Sequence, residues 1–317
     1  MSNTSTFFGG GVSYEPRIEK NEEDIANIVI PNPNLLINGD FSVWQRGVTG
    51  NHTGTVFAMT ADRWFAYVGS GTVTAGLGYG YEAGSQRLGY YLGSTGGATD
   101  VQIGQRIEST TLASYAGVDT KSLTFSIWAW SSTGTNSIDV HLHAPTAPDN
   151  YAGTDLKVVE TLGTPKENTW SKFEVTMPWH DAFRDGLQIA LVVQGTLQQD
   201  LTFSRAKLEI GDKATPFIAD DPQTNMAKCQ RYYWKDALNP RYAHPLGDIA
   251  QYWSIQLDWT EEMRTTPTLS YGYSGFLTAV DVQVTDIYPS GFYLQFGSNT
   301  TGDYGGVTGL TADAELY

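Results

Sequence analysis

The sequence predicts an all-β chain: an extended N-terminal arm, a jelly-roll β-sandwich, a short helical linker and a small C-terminal β-sandwich. Three observations predict it. Apolar and polar residues alternate with period two along many short stretches, which marks half-buried strands. Turn-forming clusters such as residues 131–136 (SSTGTN) and 69–71 (GSG) separate those stretches. Aromatic residues make up 13% of the 317 residues and charged residues only 17%. That balance supplies material for sizeable cores and excludes a disordered chain.

Residues 1–33 read as an arm. Gly9, Gly10 and Gly11 make it flexible, and Pro31 and Pro33 force an extended path at its end. Its few apolar residues, Phe7, Phe8, Ile25, Ile28 and Ile30, have no core of their own. They are the candidate anchoring residues, because an arm of this kind either frays or docks on a partner.

Residues 34–220 carry the first sandwich. Leu123, Phe125, Ile127 and Ala129 form one apolar row, and Ile138, Val140 and Leu142 another. Many short strands with Gly-rich turns indicate two packed antiparallel sheets. The Gly76–Tyr81 stretch contains a G-x-G but lacks a βαβ context, so it reads as a mobile β-loop rather than a nucleotide cradle. Residues 221–236 read as the helical linker: Asp221 is an N-cap, Pro222 suits the first helical position, and Met226, Cys229 and Tyr233 share a face. Residues 237–317 return to strand patterning, as in Trp253, Ile255, Leu257 and Trp259. A unit this small buries little surface, so it is expected to lean on the preceding domain or on another copy.

The net charge of −15 argues against nucleic acid, whose phosphates need clustered Lys and Arg. A single cysteine, Cys229, excludes a disulfide framework within the chain. The opening residues show neither a basic nor an apolar leader region. The apolar runs are short, and none approaches the ~20 residues a membrane helix needs. The expectation is folding in the cytoplasm with no membrane insertion. No serine-hydrolase elbow, phosphate loop or H-E-x-x-H motif is present. The carboxylate pairs Glu261-Glu262, Asp281 with Asp286, and Asp220-Asp221 have the residue types of a glycosidase site, but acidic neighbours are ordinary in so acidic a chain. The expectation is therefore no enzyme.

The candidate binding residues are Trp128, Trp130, Asp139, His141 and His143, taken as the face opposite the core. Flat rings cover the apolar face of a sugar, and polar side chains take its hydroxyls. Packing against the other domain or another subunit is the alternative use of such a face. His141 and His143 at i, i+2 could also hold a divalent metal. No third partner is evident, so no metal site is assigned.

Several motifs reach beyond pattern. Residues 34–47 (NLLINGDFSVWQRG) and 60–64 (TADRW) resemble the opening of a domain found in tail-fibre and other virion proteins of tailed bacteriophages. Residues 104–108 (GQRIE), 208–217 (LEIGDKATPF), 229–233 (CQRYY) and 310–316 (LTADAEL) resemble later segments of the same family. The resemblance implies a virion protein, often homotrimeric, often at the host-contacting end of a fibre. It implies virion partners bound through the arm, a host-surface polysaccharide as ligand, and assembly in the host bacterial cytoplasm. A capsid, collar or tail decoration protein and a virion-borne polysaccharide-degrading enzyme are the alternatives. The N-L-L-x-N-G-D-F opening also resembles calcium-binding jelly-roll modules that recognise polysaccharides. Ser42 stands where those modules carry an acidic ligand, and Ser204-Arg205 where they carry an acidic pair. The expectation is therefore no cofactor, with a structural calcium ion as the alternative that the resemblance leaves open.

Overall fold

The computed structural model describes residues 31–53, 56–79, 86–94, 97–115, 122–235, 241–243, 251–274, 280–298 and 304–317. Phe7, Phe8, Ile25, Ile28 and Ile30 of the arm lie outside the described residues.

The first sandwich begins with β1 (Thr49–Thr53), β2 (Val56–Met59), β3 (Trp64–Val68), β4 (Thr72–Tyr79), β5 (Gln86–Ser94) and β6 (Val101–Ile107). A short helix, α1 (Ser109–Ala113), precedes β7 (Ser122–Ser131), β8 (Ile138–Ala147), β9 (Asn150–Gly163), β10 (Ser171–Pro178), β11 (Leu187–Val193) and β12 (Leu201–Ile210). They make two six-stranded sheets, β1-β4-β5-β12-β7-β10 and β2-β3-β6-β11-β8-β9. Every named pairing is antiparallel, and the two sheets pack as a jelly-roll sandwich. The apolar rows of β7 (Leu123, Phe125, Ile127, Ala129) and β8 (Ile138, Val140, Leu142, Ala144) enter one shared core.

Two glycines in the recognised motifs have steric reasons. A Cβ on Gly39 would overlap the Ala206 carbonyl oxygen, and one on Gly104 would overlap both the Ile189 carbonyl oxygen and the Phe65 ring. Both positions need close backbone approach.

The linker helix, α2 (Pro222–Gln230), starts where its cap predicts: the Asp221 carboxylate accepts from Gln223 N and Thr224 N. It is shorter than the 221–236 span. Tyr233 is not on the helix, because Tyr233–Lys235 form β13 and pair with β19 (Tyr304–Asp313). The buried face of α2 is Asn225 and Cys229, while Met226 is exposed.

The remaining strands are β14 (Arg241–Ala243), β15 (Gln251–Asp258), β16 (Thr268–Ser274), β17 (Val280–Tyr288) and β18 (Gly291–Ser298). One sheet runs β13-β19-β14 with β16 also paired to β19, and the other runs β15-β18-β17. Trp234, Trp259, Met263, Phe292, Leu294 and Leu310 fill the space between them, so this unit too is a sandwich.

The C-terminal sandwich leans on the first one through buried charge. Arg63 and Glu315 form an ion pair with side chains only 2% and 1% exposed. The Arg63 guanidinium lies 3.5 Å from the Tyr232 ring centroid, and that of Arg46 lies 3.6 Å from the Tyr233 centroid. Arg46 also pairs with Asp313 at 3.2 Å and Glu315 at 3.4 Å. Arg106 donates to the Leu316 carbonyl. Glu108 pairs with Arg231 at 3.1 Å and with Arg264 at 3.6 Å. Asp62, fully buried beside Arg46 and bound by Gln45, has its carboxyl pushed up to about 6 by burial, which outweighs the pull of Arg46.

Two outcomes follow from this joint. Glu315→Ala strands the Arg63 charge in the interior and should cost about 3–5 kcal/mol in urea denaturation; a loss below about 1 kcal/mol would mean that water reaches Arg63. Asp62 has a folded-state pKa above its ordinary value of 3.8. Its stabilising contribution is therefore present below that value and lost as pH rises through about 6. Between about pH 7 and pH 5 the wild type should gain roughly 1 kcal/mol relative to Asp62→Asn. A gap that stays constant with pH refutes the assignment.

Candidate functional site

An aromatic cleft lies on the outer face of the first sheet. In register, Tyr91 of β5 sits opposite Thr202 of β12, and Thr202 sits opposite Trp130 of β7. Ser171 pairs with Ala129, which brings the preceding residue, Trp170, beside Trp130. One row thus crosses four adjacent chain segments. Leu77 and Gly78 of β4 close one side, and Asp200 stands at the entry to β12. Together these residues line a cleft of about 430 Å³. Of the stretch read as a mobile loop, residues 76–79 are therefore strand, with Leu77 and Gly78 on the cleft wall, while Gly80 and Tyr81 lie outside the described residues.

The polar groups of the cleft are held in place. Tyr91 Oη donates to Asp200 Oδ1 at 2.9 Å. Asp200 N donates to Ser132 Oγ, and Ser132 N donates to Asp200 O, each at 3.0 Å. Burial, aided by the neighbouring Asp200 carboxylate, pushes the Tyr91 hydroxyl up to about 12, so it remains a donor at neutral pH. Two half-buried indoles beside a fixed carboxylate can stack on a flat C–H surface and accept hydrogen bonds from its edge.

The sequence-predicted residues divide between two faces. Trp128 and Trp130 project from the outer face of the first sheet, and Trp130 lines the cleft. Asp139, His141 and His143 project from the outer face of the second sheet, because their alternating neighbours in β8 enter the same core as those of β7. Two packed sheets stand ~10 Å apart, so the rows point in opposite directions and do not form one face. Asp139 Oδ2 accepts from Gln194 Nε2 at 2.8 Å. The His141 and His143 ring centroids are 6.0 Å apart. Burial, with His141 adjacent, lowers His143 to about 4, and burial lowers His141 as well.

Tyr91, Trp170, Asp200 and Thr202 were missed by sequence reasoning. Trp170 directly precedes an alternating strand, which is a usable signal once register is known. The others come together only through tertiary pairing. Of the carboxylate pairs, Asp220 binds Lys228 at 2.8 Å, Asp221 caps α2, and Glu261 and Glu262 are exposed.

The N-G-D-F loop is closed against α2 by Asn225. Asn225 Nδ2 donates to Ser42 Oγ at 2.9 Å, Asp40 Oδ1 at 3.1 Å and Asn38 Oδ1 at 3.3 Å. These oxygens converge on an amide hydrogen-bond donor.

No protein-family model and no curated protein matches this sequence. Among solved structures it is similar to a CBM4 module at 17% identity and a TM-score of 0.35, covering 55% of this chain and 98% of that one. It is similar to the CBM22-1 xylan-binding domain of Paenibacillus barcinonensis at 9% identity and a TM-score of 0.35, covering 59% and 99%. It is also similar to the enzymatically active domain of tailspike protein 4 of bacteriophage CBA120 at 12% identity and a TM-score of 0.34, covering 56% and 21%. Likeness of this degree carries no argument about ligand or partner.

The depressed value of His143 means that the fold favours its neutral ring. Its contribution to stability is present above its ordinary value of 6.5 and is lost as pH falls toward 4. Titration followed by NMR should give His143 a midpoint near 4; a midpoint at 6.5 would show the ring to be solvated.

Proposed function

We propose that this chain is a non-enzymatic structural protein of a tailed-phage virion, a tail fibre that contacts host-surface glycans through the Trp130–Trp170 cleft. The cleft is the observation that carries the glycan part of this reading. Adjacent indoles on a sheet face, with a phenol and a fixed carboxylate at their edge, match the alternating apolar and hydroxylated surfaces of a pyranose. The virion part rests on the motif resemblance. Five of the motif segments supply the buried joint: Gln45 and Arg46, Asp62 and Arg63, Arg106 and Glu108, Tyr232 and Tyr233, Asp313 and Glu315. In this reading residues 1–33 anchor the protein to the particle, and a homotrimer multiplies weak sites into firm attachment.

Glycoside hydrolysis ordinarily needs two carboxyl groups flanking the bond. Among the described residues lining the cleft, Asp200 is the sole acid. This favours binding over cleavage, and new reducing ends released from host polysaccharide by purified protein would overturn it. A second reading, a decoration protein packed between copies, is favoured by a different observation. Phe57, Leu156 and Val159 are exposed on the outer face of the second sheet.

Labelled protein should bind host cells before but not after periodate stripping of surface glycans. Trp130→Ala and Trp170→Ala should each weaken that binding by about tenfold. Binding that survives both substitutions would remove the cleft from the function.

A further inference from the structure

We infer that the cleft selects sugars bearing a free amine over their neutral and acidic counterparts. The inference rests on the glycan-binding reading of the same cleft. None of its lining residues, Leu77, Gly78, Tyr91, Trp130, Trp170, Asp200 and Thr202, is basic. Asp200 makes no ion pair among the described residues. Nearby Lys172 is paired with Glu174. The cleft therefore holds one carboxylate whose charge no described cation balances, in a chain of net charge −15.

A ligand that covers the cleft strips water from that carboxylate. A neutral sugar returns hydrogen bonds but no charge, so part of the desolvation cost stands. A uronate or phosphorylated sugar adds repulsion. An ammonium group compensates the carboxylate directly and is also attracted to the indole faces. The geometry holds Asp200 ready for such a group. Tyr91 Oη occupies Oδ1, Ser132 fixes the backbone on both sides, and Oδ2 receives no hydrogen bond from a described residue. Tyr91 keeps its proton beside Asp200, so the pair presents a single negative charge toward the indoles.

The test compares three β-1,4-linked tetramers that share a ring skeleton and differ at C2: glucosamine, N-acetylglucosamine and glucose. Calorimetry is run at mildly acidic pH and low salt, where the amine is charged. The glucosamine tetramer should bind about tenfold tighter than the other two. High salt should erode that advantage. Asp200→Asn should abolish the difference between the glucosamine and glucose tetramers, and Asp200→Glu should keep it. Equal affinities, or a preference that persists in Asp200→Asn, overturn the inference and leave the glycan cleft standing. If none of the tetramers binds but cells are still bound in a periodate-sensitive manner, the inference alone fails. If cell binding is also insensitive to periodate, the glycan reading itself fails.

Discussion

The Arg63–Glu315 pair is the contact on which the relation between the two sandwiches depends. A guanidinium with 2% of its side chain exposed must be matched by charge, hydrogen bonds and ring contact together, or it destabilises the fold. Glu315 supplies the charge, the Arg106 carbonyl accepts from Nη2, and Tyr232 supplies the ring face. Those partners come from the residues after β19, from β6 and from the segment between α2 and β13. Pairing the two terminal nitrogens of one arginine, whose Nε has no hydrogen-bond partner among the described residues, thus ties together three distant stretches of chain. Arg63 itself has φ of 73°, in the left-handed region, and Trp64 immediately after it enters the first core. The joint and the core are therefore neighbours along the backbone, and neither can shift without the other.

The same joint explains why short motifs scattered from Gln45 to Glu315 belong together. Read in one dimension, Q-R-G, A-D-R-W, Q-R-I-E, R-Y-Y and A-D-A-E look like separate signatures. In three dimensions their arginines, carboxylates and tyrosines satisfy one another. A charge buried at an interface has few substitutes, because replacing either member strands the other.

Alternation in the sequence was enough to separate inside from outside. The rows headed by Leu123 and Ile138 entered the core, and the Asp221 cap began a helix. Alternation does not say which of two outer surfaces a polar row belongs to. For that reason Trp130 and His141 were grouped although β7 and β8 lie in different sheets. The helix end was hidden for a related reason. Tyr233, Trp234 and Lys235 have no strong local preference against a helix, and their strand is imposed by pairing with Asp313, Ala312 and Thr311. The cleft was half legible. Trp130 stood out as an outward indole, whereas Tyr91 and Asp200 acquire meaning only from the register that places them beside it.

That register depends on a single extra residue. Leu201 and Phe203 face the core, as do Ala206 and Leu208, so the inward parity of β12 changes within the strand. The change occurs at a bulge between Ser204 and Lys207, where Arg205 takes φ of 55°. Ala206 N donates to the Gly39 carbonyl at 2.8 Å, and this contact is possible because Gly39 has no Cβ to strike the Ala206 oxygen. On one side of the bulge Thr202 faces outward into the cleft. On the other, Lys207 and Glu209 face outward as a buried pair at 3.2 Å, sealed by Thr215. Without the bulge, an unbroken alternation from Leu201 would turn Lys207 and Glu209 into the core, where neither charge has a partner. The glycine of the N-G-D-F loop thus lets one strand serve two chemistries on the same face: a covered ion pair at one end and an open aromatic cleft at the other.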